Sequence, residues 1–405
     1  MLRYRDFRLF YVGAVSSAIG TQFTTVAMAW QMYELTNSAL QVGLIGLARA
    51  IPQIGLAIFG GMLADALDRR RLLMAIQIGT CAISTSLTLL TVFRLISPHA
   101  LLVAAVLFAF GSAAENPARQ AVVPNLVDKK DLSAAIALSN TQRNVAMIVG
   151  PSLAGIALAV VSPALCYAVD AASWCAMLAA LVFIRTPLQE KRRTQASFDA
   201  LLAGARFVRT QQVILSFMIL DFGATFFGSS TALLPIYARD ILHAGPIGLG
   251  ILYAAPAVGA LAAGVALSTV LRIDRAGRWV LIGVAFYGLA MMGFAVSHVI
   301  WISVIMLAGS GAGNTMSAVL RGTSNQMLTP DHLRGRVTAV NSAFTTGGPQ
   351  LGQFESGIVA DLGGAQLSGL TGAIGACLLA GAIALLPRVR SFTLSVHAQP
   401  AVAIA

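Results

Sequence analysis

The sequence predicts an all-α polytopic membrane protein in which twelve transmembrane helices form two pseudo-symmetric bundles of six. Three observations support this fold class. Hydrophobic residues make up 57% of the 405 positions and charged residues only 11%, whereas soluble domains carry about 25% charged residues. Apolar stretches long enough to span a bilayer recur along the whole chain. Landmark residues of the first half recur in the second half at a nearly constant spacing, as in a tandem repeat.

Each predicted span is an apolar segment of about twenty residues or more, the length that a helix needs to cross the hydrocarbon core of a bilayer. Charged or turn-forming residues separate one segment from the next. We place the twelve spans at residues 9–34, 40–64, 72–94, 99–122, 134–161, 164–184, 211–238, 247–271, 278–297, 299–322, 336–360 and 366–386.

The formal net charge of +11 is distributed unevenly about these spans. Of the 27 lysines and arginines, 21 lie in the termini and in alternate loops, two (Arg94 and Arg239) lie in the other loops, and four lie inside spans. Because basic residues collect in cytoplasmic loops, we expect both termini to face the cytoplasm from a bacterial-type inner membrane. The same distribution makes nucleic-acid binding a poor explanation of the charge.

The chain lacks the sequence signs of a metal, redox or nucleotide-driven site. The four cysteines fall within spans and show no paired or metal-ligand spacing. The five histidines are dispersed in loops and the tail, and no P-loop sequence occurs. We therefore expect no cofactor, no metal and no catalytic centre.

The repeat is clearest between spans 2 and 8, where small residues and a proline recur 204 positions apart without a gap. Gly46, Ala50, Pro52, Gly55 and Gly60 match Gly250, Ala254, Pro256, Gly259 and Gly264. Because each half begins on the same side of the membrane, the halves are expected to be related by an axis along the membrane normal. We predict bundles at 1–184 and 211–387, a cytoplasmic linker with an interfacial helix at 185–210, and a cytoplasmic tail at 388–405.

The first charged loop follows span 2 and runs from Gly61 to Arg71. It resembles the signature Gly-x-Leu-Ala-Asp-x-x-Gly-Arg-Lys that lies between spans 2 and 3 of major facilitator superfamily transporters, with Asp68 in place of the second glycine. The resemblance covers essentially the whole chain and implies the major facilitator fold.

This resemblance also implies a cytoplasmic gate. Gly61 would allow close helix contact, and Asp65, with Arg69 and Arg70 on the next turn, would form interactions made only when the halves close. Arg119 is the candidate partner of Asp65, and Arg321 lies 202 residues after Arg119 as its counterpart in the second half. A plain positive-inside anchor is the alternative interpretation of this loop.

A second stretch, Asn116-Pro117-Ala118-Arg119-Gln120-Ala121, lies near the end of span 4. It resembles a pattern of the drug/proton antiporter and enterobactin-exporter-like branch of the superfamily. Glu115 precedes Arg119 by four residues, so the two share a helix face and can pair. Whether Glu115 carries protons or only neutralises Arg119 stays open at this point.

Span 5 resembles the antiporter motif Gly-x-x-x-Gly-Pro-x-x-Gly-Gly at Gly150, Pro151 and Gly155. Small residues around a proline favour a bent helix that packs closely on the other half and seals the cavity against proton leak. Arg143, earlier in the same span, is a further candidate of this helix. The motif favours export, and ordinary helix packing is the alternative.

Ionisable residues inside spans cost about 2.5 to 3.5 kcal/mol to insert, so those present are expected to face water, a partner or a substrate. The proton-coupling candidates are Asp221, which we rank first because it is nearest the middle of the membrane, and then Glu115, Asp170 and Glu355. In the superfamily, spans 1, 4, 7 and 10 line the substrate cavity. The candidates for substrate contact are Gln22, Trp30, Arg49, Phe222, Phe226, Phe227 and Asn314.

The sequence therefore predicts a secondary transporter, not an enzyme, that functions as a monomer in the lipid bilayer by alternating access. We expect it to export a small organic molecule, such as a drug, a siderophore or a metabolite, with the proton gradient as its energy source. A proton-coupled uptake symporter or facilitator would have the same fold and gate. A membrane-embedded enzyme or assembly factor would need a clustered reactive site, which the sequence lacks.

Overall fold

The computed structural model describes residues 3–66, 68–188, 198–269 and 275–393, with side chains for all of these except residues 56–66 and 198–201. Within these ranges the protein contains helices and no strand. Nine helical segments of the described part are long and apolar enough to cross a membrane. The predicted all-α fold class of a polytopic membrane protein is confirmed.

The first half contains six long helices joined by short connections. These are α1 (Arg5–Thr36), α2 (Ala39–Ala66), α3 (Arg69–Val92), α4 (Pro98–Val122), α5 (Leu132–Val160) and α6 (Pro163–Phe183). Local sequence explains several of their ends. The side chain of Asp68 accepts a hydrogen bond from the Arg71 amide at 2.9 Å and caps α3. Asn37 adopts a left-handed conformation that ends α1.

The second half follows an amphipathic helix, α7 (Phe198–Thr210). Its first span is α8 (Gln212–Phe227), which continues through a 3-10 turn (Ser229–Leu233), α9 (Leu234–Ile236) and a π-helical turn (Tyr237–Ile241). The remaining helices are α10 (Gly245–Thr269), α11 (Ala276–Ala295), α12 (Ile300–Leu328), α13 (Arg334–Gly363), α14 (Ala365–Ala384) and α15 (Pro387–Arg390).

Helix α12 extends beyond its predicted end. The sequence predicts its end near residue 322, but the helix continues to Leu328. The hydroxyl groups of Thr323 and Ser324 donate hydrogen bonds to carbonyls one turn earlier. These polar side chains therefore have hydrogen-bond acceptors within the helix. Pro330 then prevents further continuation.

Two helix pairs join the halves. Helix α2 packs along α13, and α5 packs along α10. Glycines make both contacts close: a Cβ atom at Gly43 would lie 2.8 Å from the Cα atom of Gly357, and one at Gly155 would lie 3.0 Å from the Cα atom of Gly250. The largest buried hydrophobic cluster includes residues of both halves, such as Tyr167 and Tyr237.

The two ends of the molecule differ. We call the end at which α1 and α3 begin the basic end, because it carries Arg3, Arg5, Arg8 and Arg69 to Arg71. Here Tyr4 and Arg3 donate hydrogen bonds to Asp131 at 2.8 and 2.7 Å. These two bonds attach the residues before α1 to the connection between α4 and α5.

The other end, which we call the opposite end, carries polar bonds between the halves. Tyr33 donates a hydrogen bond to Asp240. Arg239 donates to Asn37 at 3.1 Å and lies over the Tyr33 ring, and Ser38 donates to Asp361 at 3.2 Å. We call these six residues the opposite-end latch, because they hold the first half to the second.

Candidate functional site

A cavity of about 440 Å³ lies among the six helices of the first half, and Gln350 of α13 contributes to it from the second half. This volume suits a small organic molecule. The cavity extends from the middle of the bundle to residues near the basic end, such as Tyr11 and Ser139. Its ionisable lining residues are Arg49, Glu115, Arg119, Arg143 and Asp170.

Glu115 and Arg119 form an ion pair on the cavity wall. Arg119 Nη1 lies 2.9 Å from Glu115 Oε1, as their four-residue spacing on α4 predicts. Gln77 of α3 donates to the same carboxylate oxygen at 3.1 Å, and Arg119 Nη2 approaches Ser17 Oγ of α1 at 3.4 Å. Glu115 is buried and Arg119 is half-buried. The pair therefore presents a neutralised charge to the cavity.

The second half contains a related pair with a different arrangement. Arg321 of α12 donates to Ser317 Oγ at 2.7 Å and to Asp221 of α8. Arg321 and Ser317 each follow Arg119 and Glu115 by 202 residues, and Asp221 follows Ser17 by 204 residues. The carboxylate thus lies on the arginine's own helix in the first half, and on the facing helix in the second half.

This arrangement corrects the expected position of Asp221. The residue is buried against Arg321 and is not among the residues that line the cavity. The sequence ranked Asp221 first as proton carrier for its depth in the membrane, but depth does not determine which face of a helix a residue occupies. The 204-residue offset that aligns span 2 with span 8 also aligns Ser17 with Asp221. This relation identifies Ser17, which was not among the predicted site residues, as a contact of Arg119.

Asp170 lies near the middle of α6 and has a different environment. Its Oδ2 atom accepts hydrogen bonds from Thr24 Oγ1 at 2.8 Å and from Ser84 Oγ at 2.6 Å. Its Oδ1 atom has no hydrogen-bond partner, and no salt bridge to it occurs among the described residues. The residue is only 1% exposed, yet it contributes to the cavity wall.

Arg49 of α2 lies where the two halves meet. It lines the main cavity and also a smaller cavity of about 60 Å³, whose wall includes Tyr253 and Gln353 of the second half. Its Nη2 atom lies 3.7 Å from the sulfur of Met28. Within the part of the chain that the structure describes, no carboxylate pairs with it.

Two arginines of the expected gate, Arg69 and Arg70, contact backbone carbonyls of the first half. Arg70 donates to the carbonyls of Leu181 and Val182 at 2.8 and 2.9 Å, which satisfies the end of α6. Arg69 approaches the carbonyl of Ala121 at 3.4 Å. Both contacts lie within the first half. The contacts of Gly61 and the side chain of Asp65 lie outside what the structure describes, so the close contact at Gly61 and the pairing of Asp65 with Arg119 stay predictions.

The residues that resemble the antiporter motif lie at two helix contacts. A Cβ atom at Gly150 would lie 2.6 Å from the side chain of Gln22 on α1. A Cβ atom at Gly155 would lie 2.6 Å from the Pro246 carbonyl of α10, and the Pro151 carbonyl faces Gly250. This helix therefore touches both its own half and the other half. Arg143 is exposed on the cavity wall.

Several candidates for substrate contact or proton coupling do not line the cavity. Trp30 is buried in the largest hydrophobic cluster. On α8, Phe222 stacks on Phe226, and Phe226 meets Phe227 edge to face. Asn314 and Glu355 are half-buried and lie outside the cavity wall. Of the predicted substrate contacts, the structure brings Gln22 and Arg49 together in one cavity.

Comparison with known proteins gives consistent matches over the full chain. Residues 1–401 match the family model described as transmembrane secretion effector. The chain is 25% identical to the multidrug efflux pump Tap of Mycolicibacterium fortuitum, with 96% of this chain and 97% of that protein covered. It is 30% identical to the enterobactin exporter EntS of Salmonella typhimurium, with 85% and 83% covered. It is 25% identical to the staphyloferrin A transporter of Staphylococcus aureus, with 82% and 84% covered.

Solved structures share the fold at low sequence identity. The nucleoside transporter NupG superposes with a TM-score of 0.72 at 15% identity, covering 94% of this chain and 98% of that chain. A bacterial homologue of the iron transporter ferroportin in an inward-facing state superposes with a TM-score of 0.70 at 16% identity, covering 94% and 98%. The chain therefore belongs to the transmembrane secretion effector family, within the major facilitator superfamily of membrane transporters.

Proposed function

We propose that this protein exports a small organic molecule across a bacterial inner membrane in exchange for protons. The observation that carries the proposal is Asp170, a carboxylate on the cavity wall, deep inside a membrane-spanning helix, without a cationic partner in the described residues. The efflux pump and the siderophore exporter among the relatives support the direction of transport. An uptake symporter has no comparable support.

Asp170 has the contacts that two protonation states require. When the carboxylate is ionised, the hydroxyl groups of Thr24 and Ser84 donate to Oδ2. When it is neutral, Oδ1 can carry the proton, because that atom has no other partner. A charge without a counter-ion is expensive in the membrane interior, so solute and water in the cavity would decide which state is favoured. We therefore rank Asp170 first as proton carrier.

The other carboxylates have weaker claims. Glu115 faces the cavity, but Arg119 and Gln77 both stabilise its ionised form. Asp221 is buried in its pair with Arg321, and we assign that pair a structural role. Glu355 lies outside the cavity wall. Glu115 is thus the second candidate.

Alternating access assigns roles to the two ends. The opposite-end latch holds the halves together on one side, while the cavity extends toward the basic end. We propose that the basic end faces the cytoplasm, so that solute enters the cavity from there. In the other state, the loop residues Gly61, Asp65, Arg69 and Arg70 would close the basic end. Arg119 would take part in this gate from the first half, and Arg321 from the second. The bundles at 1–184 and 211–387 would move as units about the α2–α13 and α5–α10 contacts.

The free energy released by one proton is sufficient to move a solute against a substantial concentration gradient. One charge that crosses a membrane potential of 100 mV releases about 2.3 kcal/mol. This free energy corresponds to a solute concentration ratio of roughly 50.

The test uses inside-out membrane vesicles that acidify their interior, with a pH-sensitive dye as reporter and a panel of organic anions, cations and neutral compounds as solutes. The wild-type protein should let at least one solute discharge the pH gradient. The Asp170→Asn variant should abolish this discharge but keep exchange of labelled solute in the absence of a gradient. Glu34→Gln, at an exposed carboxylate near the opposite end, is the matched control and should behave as wild type.

Two results would contradict the proposal. If Asp170→Asn still discharges the gradient, the proton carrier is another residue. If solute leaves the vesicles together with protons, the protein is an uptake symporter.

A further inference from the structure

We infer that the transported molecule is an organic anion and that Arg49 binds its negative group where the two halves meet. This inference rests on the proposed function, because it takes the cavity as the transport site. It adds the chemical class of the solute and the residue that recognises it.

Uncharged polar side chains share both cavities with Arg49. Gln53 of α2 and Gln350 of α13 share the main cavity with it, and Tyr253 and Gln353 share the smaller cavity. Among the described residues, its one hydrogen bond is the 3.7 Å contact with the Met28 sulfur, a weak acceptor. No salt bridge to Arg49 occurs in the described ranges. Arg49 is therefore a cation in the membrane interior that lacks a negative partner.

The charges of the cavity leave room for an anion. Glu115 already pairs with Arg119 at 2.9 Å. Asp170 accepts hydrogen bonds from Thr24 and Ser84. Even when Asp170 is ionised, the three arginines of the cavity wall outnumber its two carboxylates. Neither carboxylate neutralises Arg49, and Arg143 adds a further positive charge toward the basic end. A solute carboxylate would satisfy the guanidinium through charge-assisted hydrogen bonds, whereas a cationic solute would be repelled.

Gln350 supplies a second contact for such a solute. Its Oε1 atom is buried and has no hydrogen-bond partner in the described part of the chain. It can accept a hydrogen bond from a hydroxyl or amide group of the solute. Because Gln350 belongs to the second half and Arg49 to the first, one bound molecule could hold both halves. Its binding free energy could then differ between the two states of the cycle, which is the condition for a ligand to shift them.

The test measures binding to purified protein in detergent through the thermal unfolding midpoint. The probes are aromatic hydroxy-carboxylic acids, the corresponding neutral amides, and organic cations of similar size. The wild-type protein should be stabilised more by the acids than by the amides or the cations. Arg49→Gln should weaken acid binding about tenfold, as expected for the loss of a charge-assisted hydrogen bond, and should abolish the preference for acids. Arg49→Lys should restore part of that preference.

Arg278→Gln, at an exposed arginine of α11 outside the cavity wall, is the matched control and should retain the preference. Sodium phosphate and sodium chloride test whether an inorganic anion alone occupies the site. The inference is wrong if inorganic anions stabilise the protein as well as the acids do. It is also wrong if cations or amides bind as tightly as the acids, or if Arg49→Gln keeps the preference. Because binding is measured without a gradient, failure of proton exchange would leave this result unchanged.

Discussion

The hydrogen bonds of Asp6 join the first helix to the end of the sixth. Its Oδ2 atom accepts from the amides of Arg185 and Thr186 at 2.9 and 2.8 Å and from the Thr186 hydroxyl at 2.7 Å. Partial burial raises the pKa of Asp6, but the bonds from Thr186 and Arg185 outweigh that effect and lower it below its ordinary value. The folded protein therefore favours the ionised form.

We predict that Asp6→Asn destabilises the protein by about 1.5 to 3 kcal/mol at neutral pH, the range for a hydrogen bond to a charged group. Because the folded-state pKa lies below the unfolded value, the contribution of Asp6 is complete above the unfolded pKa of about 3.9 and is lost as the pH falls through the folded pKa. Thermal unfolding of the variant and of wild type should therefore converge below about pH 4. A constant difference at all pH values would contradict the assigned ionisation, and Glu34→Gln controls for loss of a surface charge.

At the scale of helices, glycine-to-glycine contacts hold the halves at their closest approach. A Cβ atom at Gly250 would lie 2.5 Å from the Pro151 carbonyl and 3.1 Å from the Cα atom of Gly155. Because these atoms belong to the backbone, no side-chain rotation can make room. By contrast, a Cβ atom at Gly264, on the same helix α10, would have no atom of the described residues within 4 Å.

We predict opposite effects for alanine at these two positions. Gly250→Ala should push α5 and α10 apart and lower the thermal midpoint, whereas Gly264→Ala should be neutral or stabilising by up to about 1 kcal/mol because alanine favours the helix. Unfolding of both variants in the same detergent measures the difference. Equal behaviour of the two variants would mean that the α5–α10 contact does not constrain the halves.

The sequence predicts correctly which helices contain closely packed small residues. The small residues of spans 2, 5 and 8 indicate close helix contacts, and the structure has Gly43, Gly155 and Gly250 at such contacts. It does not identify the partner of each glycine, because that depends on how one half is rotated against the other. The repeat relates positions within the two halves, for example Ser17 and Asp221, but it contains no information about contacts between them.

At the scale of the whole molecule, the opposite-end latch controls one of the two openings that alternating access requires. Tyr33, Asn37 and Ser38 come from the first half, and their partners Asp240, Arg239 and Asp361 come from the second. A hydrogen bond to a charged group contributes about 1.5 to 3 kcal/mol. Loss of one such bond should therefore change the ratio of closed to open molecules about tenfold or more.

We predict that the double variant Tyr33→Phe with Asp240→Asn shifts the protein toward a state open at the opposite end. Spin labels at Leu35 and Ile247, which are both exposed, would report the distance between α1 and α10 by electron paramagnetic resonance. The distance distribution should gain a longer component in the variant. Asp331→Asn, which breaks an exposed ion pair with Arg334 near the basic end, should leave the distribution unchanged. An unaltered distribution in the double variant would exclude a latch function.

The cavity could be predicted only in part, for a physical reason. The four-residue spacing predicts the pair of Glu115 and Arg119, and the presence of Arg49 inside a span indicates a functional residue. The isolation of Asp170 and the burial of Asp221 depend on which helix faces each carboxylate, and hydropathy does not specify that. For Asp221 the facing helix supplies Arg321, whereas for Asp170 the facing helices supply only hydroxyl groups.

Arg119 pairs with an acid on its own helix, and Arg321 pairs with an acid on the facing helix. This difference has a consequence for the evolution of the chain. If both halves descend from one duplicated segment, the negative charge beside the arginine changed helices in one copy after the duplication. Two substitutions are enough for this change, either a gain of the acid at position 221 with its loss at position 317, or a gain at position 115 with its loss at position 17. An order in which the gain came first would have kept the arginine neutralised throughout. Natural selection would then act on the presence of one acid in each pair, and the residue that supplies it would be free to change.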